Sequence, residues 1–240
     1  MERNWKEVRS EVKRFVEEEV YPAESILHKG DDESKSKLSE LMQKAKDNSL
    51  WALGHPKDIG GEGMPFMEYV YINEVVGRSS SAMVALGTHS LQDSIMLREF
   101  APKKWRDEYL KPLVQGEIFP SFAMTEPDIS SSDPTQLQTT ATLEGDEWVI
   151  NGTKWFTTGA ARAAYTTVMC RTEVDVPSHG AFSMIIVPTD NPGYKIVRET
   201  PVLGINGGHY EVHYDNVRVP KENLLGPRGQ GFLIAQRRLG

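Results

Sequence analysis

The twelve residues FAMTEPDISSSD, 122–133, begin as an apolar strand, break at Pro127 and run on into hydroxyls. A strand that ends this way offers main-chain donors and acceptors at Ala123, Met124 and Thr125 to the edge of a planar heterocycle. Ser130, Ser131 and Ser132 add hydroxyl and backbone donors suited to phosphate oxygens. The bland reading is that Thr125 and the serines only cap a turn. Glu126, in a Glu-Pro at a strand end, reads as a structural residue and not as a base.

Other chemical candidates are weaker. His209 and His213 in HYEVH have the spacing of a metal pair on a helix. The alternation around them indicates a strand, where four residues span roughly 13 Å at about 3.3 Å each, too far for one zinc at about 2 Å per ligand. GPRGQG, 226–231, lacks the Lys-Ser/Thr pair and the parallel strand that make a glycine loop a phosphate cradle. No Gly-x-Ser-x-Gly elbow is present. Cys170 is the only cysteine, so there is no disulfide framework, and its apolar strand context makes it a small core residue.

Those residues need elements to position them, and the chain changes character near residue 118. Before it, apolar residues recur at helical spacing: Trp5, Val8, Val12, Phe15 and Val16 form one stripe that Pro22 is expected to stop. Further stripes cover residues 36–50, 65–77 and 80–100, and Pro102 opens a last helix. HPKDIGGEGMP, 55–65, is a loop. After residue 118 the period falls to two, with strands expected at 139–143, 147–150, 154–157, 165–171, 181–187, 194–197 and 210–219. Gly145-Asp146 and Asn151-Gly152 read as hairpin turns. GPRGQG then leads into the first turns of a helix.

The fold class is therefore α+β: an N-terminal all-α domain over 1–118, an antiparallel β-barrel or sandwich over 119–226, and the start of a C-terminal helical domain over 227–240. A nine-residue terminal helix is marginal alone, so further helices are expected beyond it. With 27 Lys+Arg against 34 Asp+Glu the net charge is -7, which argues against general binding of nucleic acid or an anionic membrane. No stretch is long and apolar enough for a transmembrane helix, so no membrane insertion is expected.

Four patterns in order carry more than any one: MTEP at 124–127, INGTKWFTTG at 150–159, NPGYKI at 191–196 and YDNVRVPKENLLG at 214–226. Together they resemble the acyl-CoA dehydrogenase family, in the branch whose signature reads TEPD-x-x-SSD. The resemblance implies FAD as cofactor, with Phe122, Ala123, Met124 and Thr125 lining the flavin ring and the Thr125 hydroxyl at its pyrimidine edge. It implies Ser131 or Ser132 at the FAD pyrophosphate or, for Ser132, the pantetheine arm of the substrate. Aligned on Lys154, Phe156, Thr157 and Thr158 stand where the family commonly has Trp-Ile-Thr, so Phe156 would pack beside the ring and a threonine hydroxyl would reach it. The implied reaction oxidises an acyl-CoA thioester to the trans-2-enoyl-CoA and passes electrons to an acceptor flavoprotein. The family's catalytic carboxylate belongs to a C-terminal domain, so the base is expected beyond residue 240 and the 240 residues are expected to be inactive alone. The full-length protein would be a homo-oligomer in the cytoplasm, or in a mitochondrial or peroxisomal interior. Other readings are a related acyl-CoA oxidase or flavin monooxygenase, and a non-catalytic acyl-CoA or flavin-binding subunit without the base.

Overall fold

The computed structural model describes residues 3–204 and 206–239. Its contacts divide the chain into two compact units: Met1–Ser94 with Val114–Glu117, and Ile95–Leu113 with Ile118–Gly240.

The first unit is helical. Helix α1 (Trp5–Phe15) is capped by Asn4, whose side chain accepts from the Lys6 amide, and α3 (Asp32–Asp47) by Asp31 in the same way through Ser34. The expected stripe Val8, Val12, Phe15 and Val16 is buried, and packs with Leu41 and Ala45 of α3 and with Ile72, Val75 and Val76 of α4 (Phe66–Val76). Pro22 does not stop the helix. A π-helical turn, Val16–Val20, joins α1 to α2 (Tyr21–Leu27), and the Tyr21 amide reaches back five residues to the Val16 carbonyl. A proline inside an α-helix lacks a donor and collides with the carbonyl four residues back; the wider turn moves that carbonyl aside. The same device recurs in the second unit, where the π turn Arg106–Leu110 precedes Lys111 and Pro112. The short helix α5 (Ala82–Ala85) and α6 (Leu91–Phe100) complete the expected 80–100 region, and α7 (Lys103–Trp105) and α8 (Lys111–Gln115) follow Pro102.

The second unit is built on one eight-stranded sheet: β1 (Pro120–Ala123), β2 (Thr140–Glu144), β3 (Glu147–Thr158), β4 (Tyr165–Arg171), β5 (Phe182–Pro188), β6 (Tyr194–Glu199), β7 (His209–Pro220) and β8 (Leu224–Leu225). Strand order is β6-β7-β3-β2-β4-β5-β8, and β1 pairs with β4 off this path. Pairing is antiparallel except for β1 with β4 and a single bridge from β2 to β4, so the sheet is mostly, not wholly, antiparallel. Period-two patterning separates two cores. Tyr165 and Met169 of β4 and Phe182, Met184 and Ile186 of β5 face one cluster, which α9 (Gly231–Leu239) joins through Ile234 and Ala235. Val168, Cys170, Ile185 and Val187 face the other, with Trp148, Ile150, Val212 and Tyr214. Both faces of β4 and β5 are buried, and Thr166, Thr167 and Ser183 lie buried among their apolar residues.

Asn151-Gly152 is not a hairpin turn. Strands expected at 147–150 and 154–157 are one strand, β3, running antiparallel to β7 with register shifts between Ile150 and Gly152 and between Lys154 and Thr157. Gly152 has φ 148°, and a Cβ there would stand 2.5 Å from the Thr139 hydroxyl and 2.8 Å from its Cα. The glycine therefore serves a β-bulge and the close approach of the Thr139 backbone, a use that resembles a turn signal in sequence alone.

Candidate functional site: the end of β1 and the second bulge of β3

The second bulge of β3 places its tip against the end of β1. Thr125, just past β1, is bonded to Trp155 twice: the Trp155 amide donates to the Thr125 carbonyl (3.0 Å), and the Thr125 hydroxyl donates to the Trp155 carbonyl (2.8 Å). Ser121 adds a third tie, its hydroxyl donating to the Thr158 carbonyl at 2.8 Å. Two segments about 30 residues apart in sequence, 122–125 and 156–158, thus form one surface.

A buried ion pair fixes that surface from behind. Lys154 is fully buried and Glu126 nearly so, with Nζ 2.9 Å from Oε1; the same ammonium donates to the Met124 carbonyl at 2.8 Å. The amides of Gln138 and Thr139 donate to the two Glu126 oxygens at 2.7 and 2.8 Å. Burial alone would push the Glu126 carboxyl up, but Lys154 and the two amides outweigh it and hold the group below the usual carboxylate range. Burial draws the Lys154 ammonium below its ordinary value, and Glu126 opposes that shift. With both oxygens engaged, Glu126 is a structural anchor.

The individual side chains divide by face. Phe122 and Met124 are half-buried against the core that includes α9, and the Arg238 guanidinium lies 4.4 Å from the Phe122 ring centroid. Ala123 is fully buried in the opposite core, so only its main chain can serve a ligand. Ser131 closes the loop on Glu126: its hydroxyl accepts from the Glu126 amide (2.9 Å) and donates to the Glu126 carbonyl (3.1 Å). Ser132 is exposed and its hydroxyl meets that of Ser130 at 3.1 Å. Thr157 points inward, fully buried, and its hydroxyl has no hydrogen-bond partner. Thr158 is exposed and pairs with Nδ1 of His209 at 2.8 Å.

Phe156 is the outlier. Its backbone is left-handed, φ 49°, yet its ring is 40% exposed and lies 4.8 Å from Trp155. A bulky residue in that region is costly, of order 1–3 kcal/mol, and such strain concentrates where a side chain is aimed at a ligand. An exposed aromatic beside the Thr125 and Thr158 hydroxyls fits a planar, polar-edged ring such as a flavin, while the Met124 and Thr125 carbonyls, expected to be free, are taken by Lys154 and Trp155. Sequence reasoning passed over Trp155 and the contacts of His209. The signal for the first was its place between Lys154 and Phe156, where the register of β3 shifts.

His209 and His213 do not converge on one point; each faces a threonine across the β3/β7 ladder, with Thr153 2.9 Å from His213. Cys170 is buried and its thiol is pushed up to about 12 by burial.

Known proteins agree with this architecture. The family description "Acyl-CoA dehydrogenase, N-terminal domain" matches residues 3–117, and "Acyl-CoA dehydrogenase, middle domain" matches residues 121–217. The chain belongs to the acyl-CoA dehydrogenase family. It is 40% identical over 246 residues to a Mycobacterium tuberculosis protein described as "Probable acyl-CoA dehydrogenase FadE2", covering 97% of this chain and 60% of that protein. It is 36% identical to the chicken "Acyl-CoA dehydrogenase family member 11", over 99% of this chain and 33% of that protein. The chain thus spans three fifths of one relative and a third of the other. Among solved structures, an acyl-CoA dehydrogenase from Bacillus anthracis complexed with FAD superposes with a TM-score of 0.79 at 28% identity, over 98% of this chain and 40% of that one.

Proposed function

We propose that the surface formed by 122–125 and 156–158 holds FAD, and that the protein oxidises an acyl-CoA thioester to the trans-2-enoyl-CoA. FAD, when bound, would take up the hydride leaving the β-carbon. The observation that carries this reading is the exposed, left-handed Phe156 beside the doubly bonded Thr125–Trp155 pair. The FAD in the Bacillus anthracis relative supports it.

The residues of this chain bind and orient. The Thr125 proton is committed to the Trp155 carbonyl, so only its lone pairs face outward to accept, which suits a ring N–H and not a ring carbonyl. Phe156 offers a face for packing. Ser131 is occupied in shaping the loop, and Ser132 is the hydroxyl available to a phosphate or to the pantetheine arm. Glu126 takes no proton from substrate, because Lys154 and two amides hold it ionised and buried. Electrons would pass to an acceptor flavoprotein. No described helix is long and apolar enough to cross a membrane.

The test is the visible spectrum of a chain extended through the family's C-terminal domain, after incubation with FAD and desalting, then after addition of acyl-CoA thioesters of several chain lengths. A retained flavin band that bleaches with thioester, under exclusion of oxygen, is the expected result. A protein that keeps no flavin overturns the cofactor assignment; one that keeps flavin and never bleaches overturns the reaction.

A further inference from the structure

At the end of β3, His209 touches two residues of the proposed flavin surface. It stands directly opposite Thr158 in the β3/β7 ladder, with Nδ1 2.8 Å from the Thr158 hydroxyl, and its ring meets Phe156 edge-on at 6.3 Å. We propose that His209 is a positioning residue whose protonation decides whether the Thr158 hydroxyl donates to the flavin or can only accept from it. The inference rests on the flavin reading above.

The argument is one of proton counting. A threonine hydroxyl has one proton and two lone pairs. When Nδ1 of His209 is bare, it accepts the Thr158 proton, and the oxygen can present only lone pairs outward. When Nδ1 carries a proton, it donates to the Thr158 oxygen, and the hydroxyl proton turns free to be donated to a ring acceptor. A protonated ring carries a proton on both nitrogens, so acid leaves only the donating state, whereas the neutral ring reaches the accepting state through its Nε2–H tautomer. A hydrogen bond donated to the ring draws electron density from it and favours the electron-rich form.

Glu199 of β6 accepts the Gly208 amide at 2.9 Å, next to His209 in the chain. Tyr210 adjoins on the same strand, and Arg162, in the turn after β3, lines a cleft with Thr158 and Tyr210. Phe156 does not titrate. The ladder also contains its own control: Thr153 and His213 form the same pair at 2.9 Å, five residues earlier on β3 than Thr158.

The experiment is the visible absorption of the FAD-loaded protein from pH 5 to 8.5, beside the NMR titration of the His209 ring. In the wild type the flavin band is expected to shift with the same midpoint as the His209 resonance. H209Q, which keeps a polar partner but does not titrate, is expected to retain FAD and lose the shift, and T158V to lose the shift while His209 still titrates. H213Q is expected to keep it. A wild-type band that does not move with His209, or a shift that survives in H209Q, overturns the inference while leaving the flavin reading intact. A wild type that retains no FAD overturns both.

Discussion

Lys154 and Glu126 show how one pair of side chains can organise a binding surface without touching the ligand. The ammonium holds the Met124 carbonyl and the carboxylate holds the amides of Gln138 and Thr139, so one buried ion pair ties both ends of the 124–139 loop. Removing one charge strands the other in the core. K154M is expected to destabilise the second unit by about 3–5 kcal/mol, read as a shift in the urea midpoint, and to weaken FAD retention. K154M with E126Q is expected to recover part of that loss, because no bare carboxylate then remains. A K154M midpoint within the error of the wild type would show that the pair is not the anchor. Cys170 makes a second prediction at this scale. With its thiol buried and pushed up to about 12, it is expected to resist iodoacetamide at pH 8 in the folded chain and to react once urea is added. Rapid alkylation without denaturant would mean that the β4 core opens.

At the scale of elements, the departures from the sequence reading have local causes. Helical periodicity located α1 and α3, since a stripe of Val and Leu at spacings of three and four specifies a buried face; in α4 the expected stripe of Met67, Val70 and Tyr71 is exposed, and Ile72, Val75 and Val76 are buried instead. It could not show that Pro22 is carried through by a π turn, because the widening lies in the backbone and leaves the apolar spacing intact. Alternation located β4 through β7, but the bulges of β3 hid its continuity. Asn-Gly favours positive φ in a turn and glycine serves equally well at a bulge. At the candidate site the hydroxyls and aromatics were legible as types. Their directions were not: Thr157 and Ala123 point inward, and the left-handed Phe156 cannot be read from a residue that ordinarily avoids that conformation. The two glycines first read as turns now separate cleanly. Gly145 lies in a true hairpin with open space around its absent Cβ, whereas Gly152 has the Thr139 backbone against it. G145A is expected to cost about 1 kcal/mol, from φ alone. G152A is expected to cost more, of order 2–3 kcal/mol, because the strand must move as well. Equal midpoints for the two variants in urea would contradict the bulge.

For the whole molecule, the two units should answer acid at different pH. The first contains His55, fully buried, with Nε2 3.0 Å from the Ser90 hydroxyl. Burial, and then the neighbouring His89, lowers its pKa to about 4 from an ordinary 6.5. The folded unit therefore keeps His55 neutral in a range where the unfolded chain binds a proton. Stability from this group is fully present above about pH 6.5 and falls as pH drops toward 4, by roughly 3 kcal/mol in all. In the second unit Glu126 is shifted in the same direction but from a lower ordinary value, a lowered carboxyl whose contribution is complete above about pH 4.3 and is lost only below it. Between pH 6.5 and 4.5, then, His55 weakens the first unit while Glu126 still supports the second. Amide hydrogen exchange, corrected for the intrinsic rate at each pH, should show protection in α1, α3 and α4 falling across that interval and protection in β4 and β5 holding. H55Q should flatten the pH dependence of the helices even if it lowers their stability overall. If the helices of H55Q lose protection with acid as steeply as those of the wild type, His55 is not the group that titrates, and the acid response of the first unit must come from its surface carboxylates.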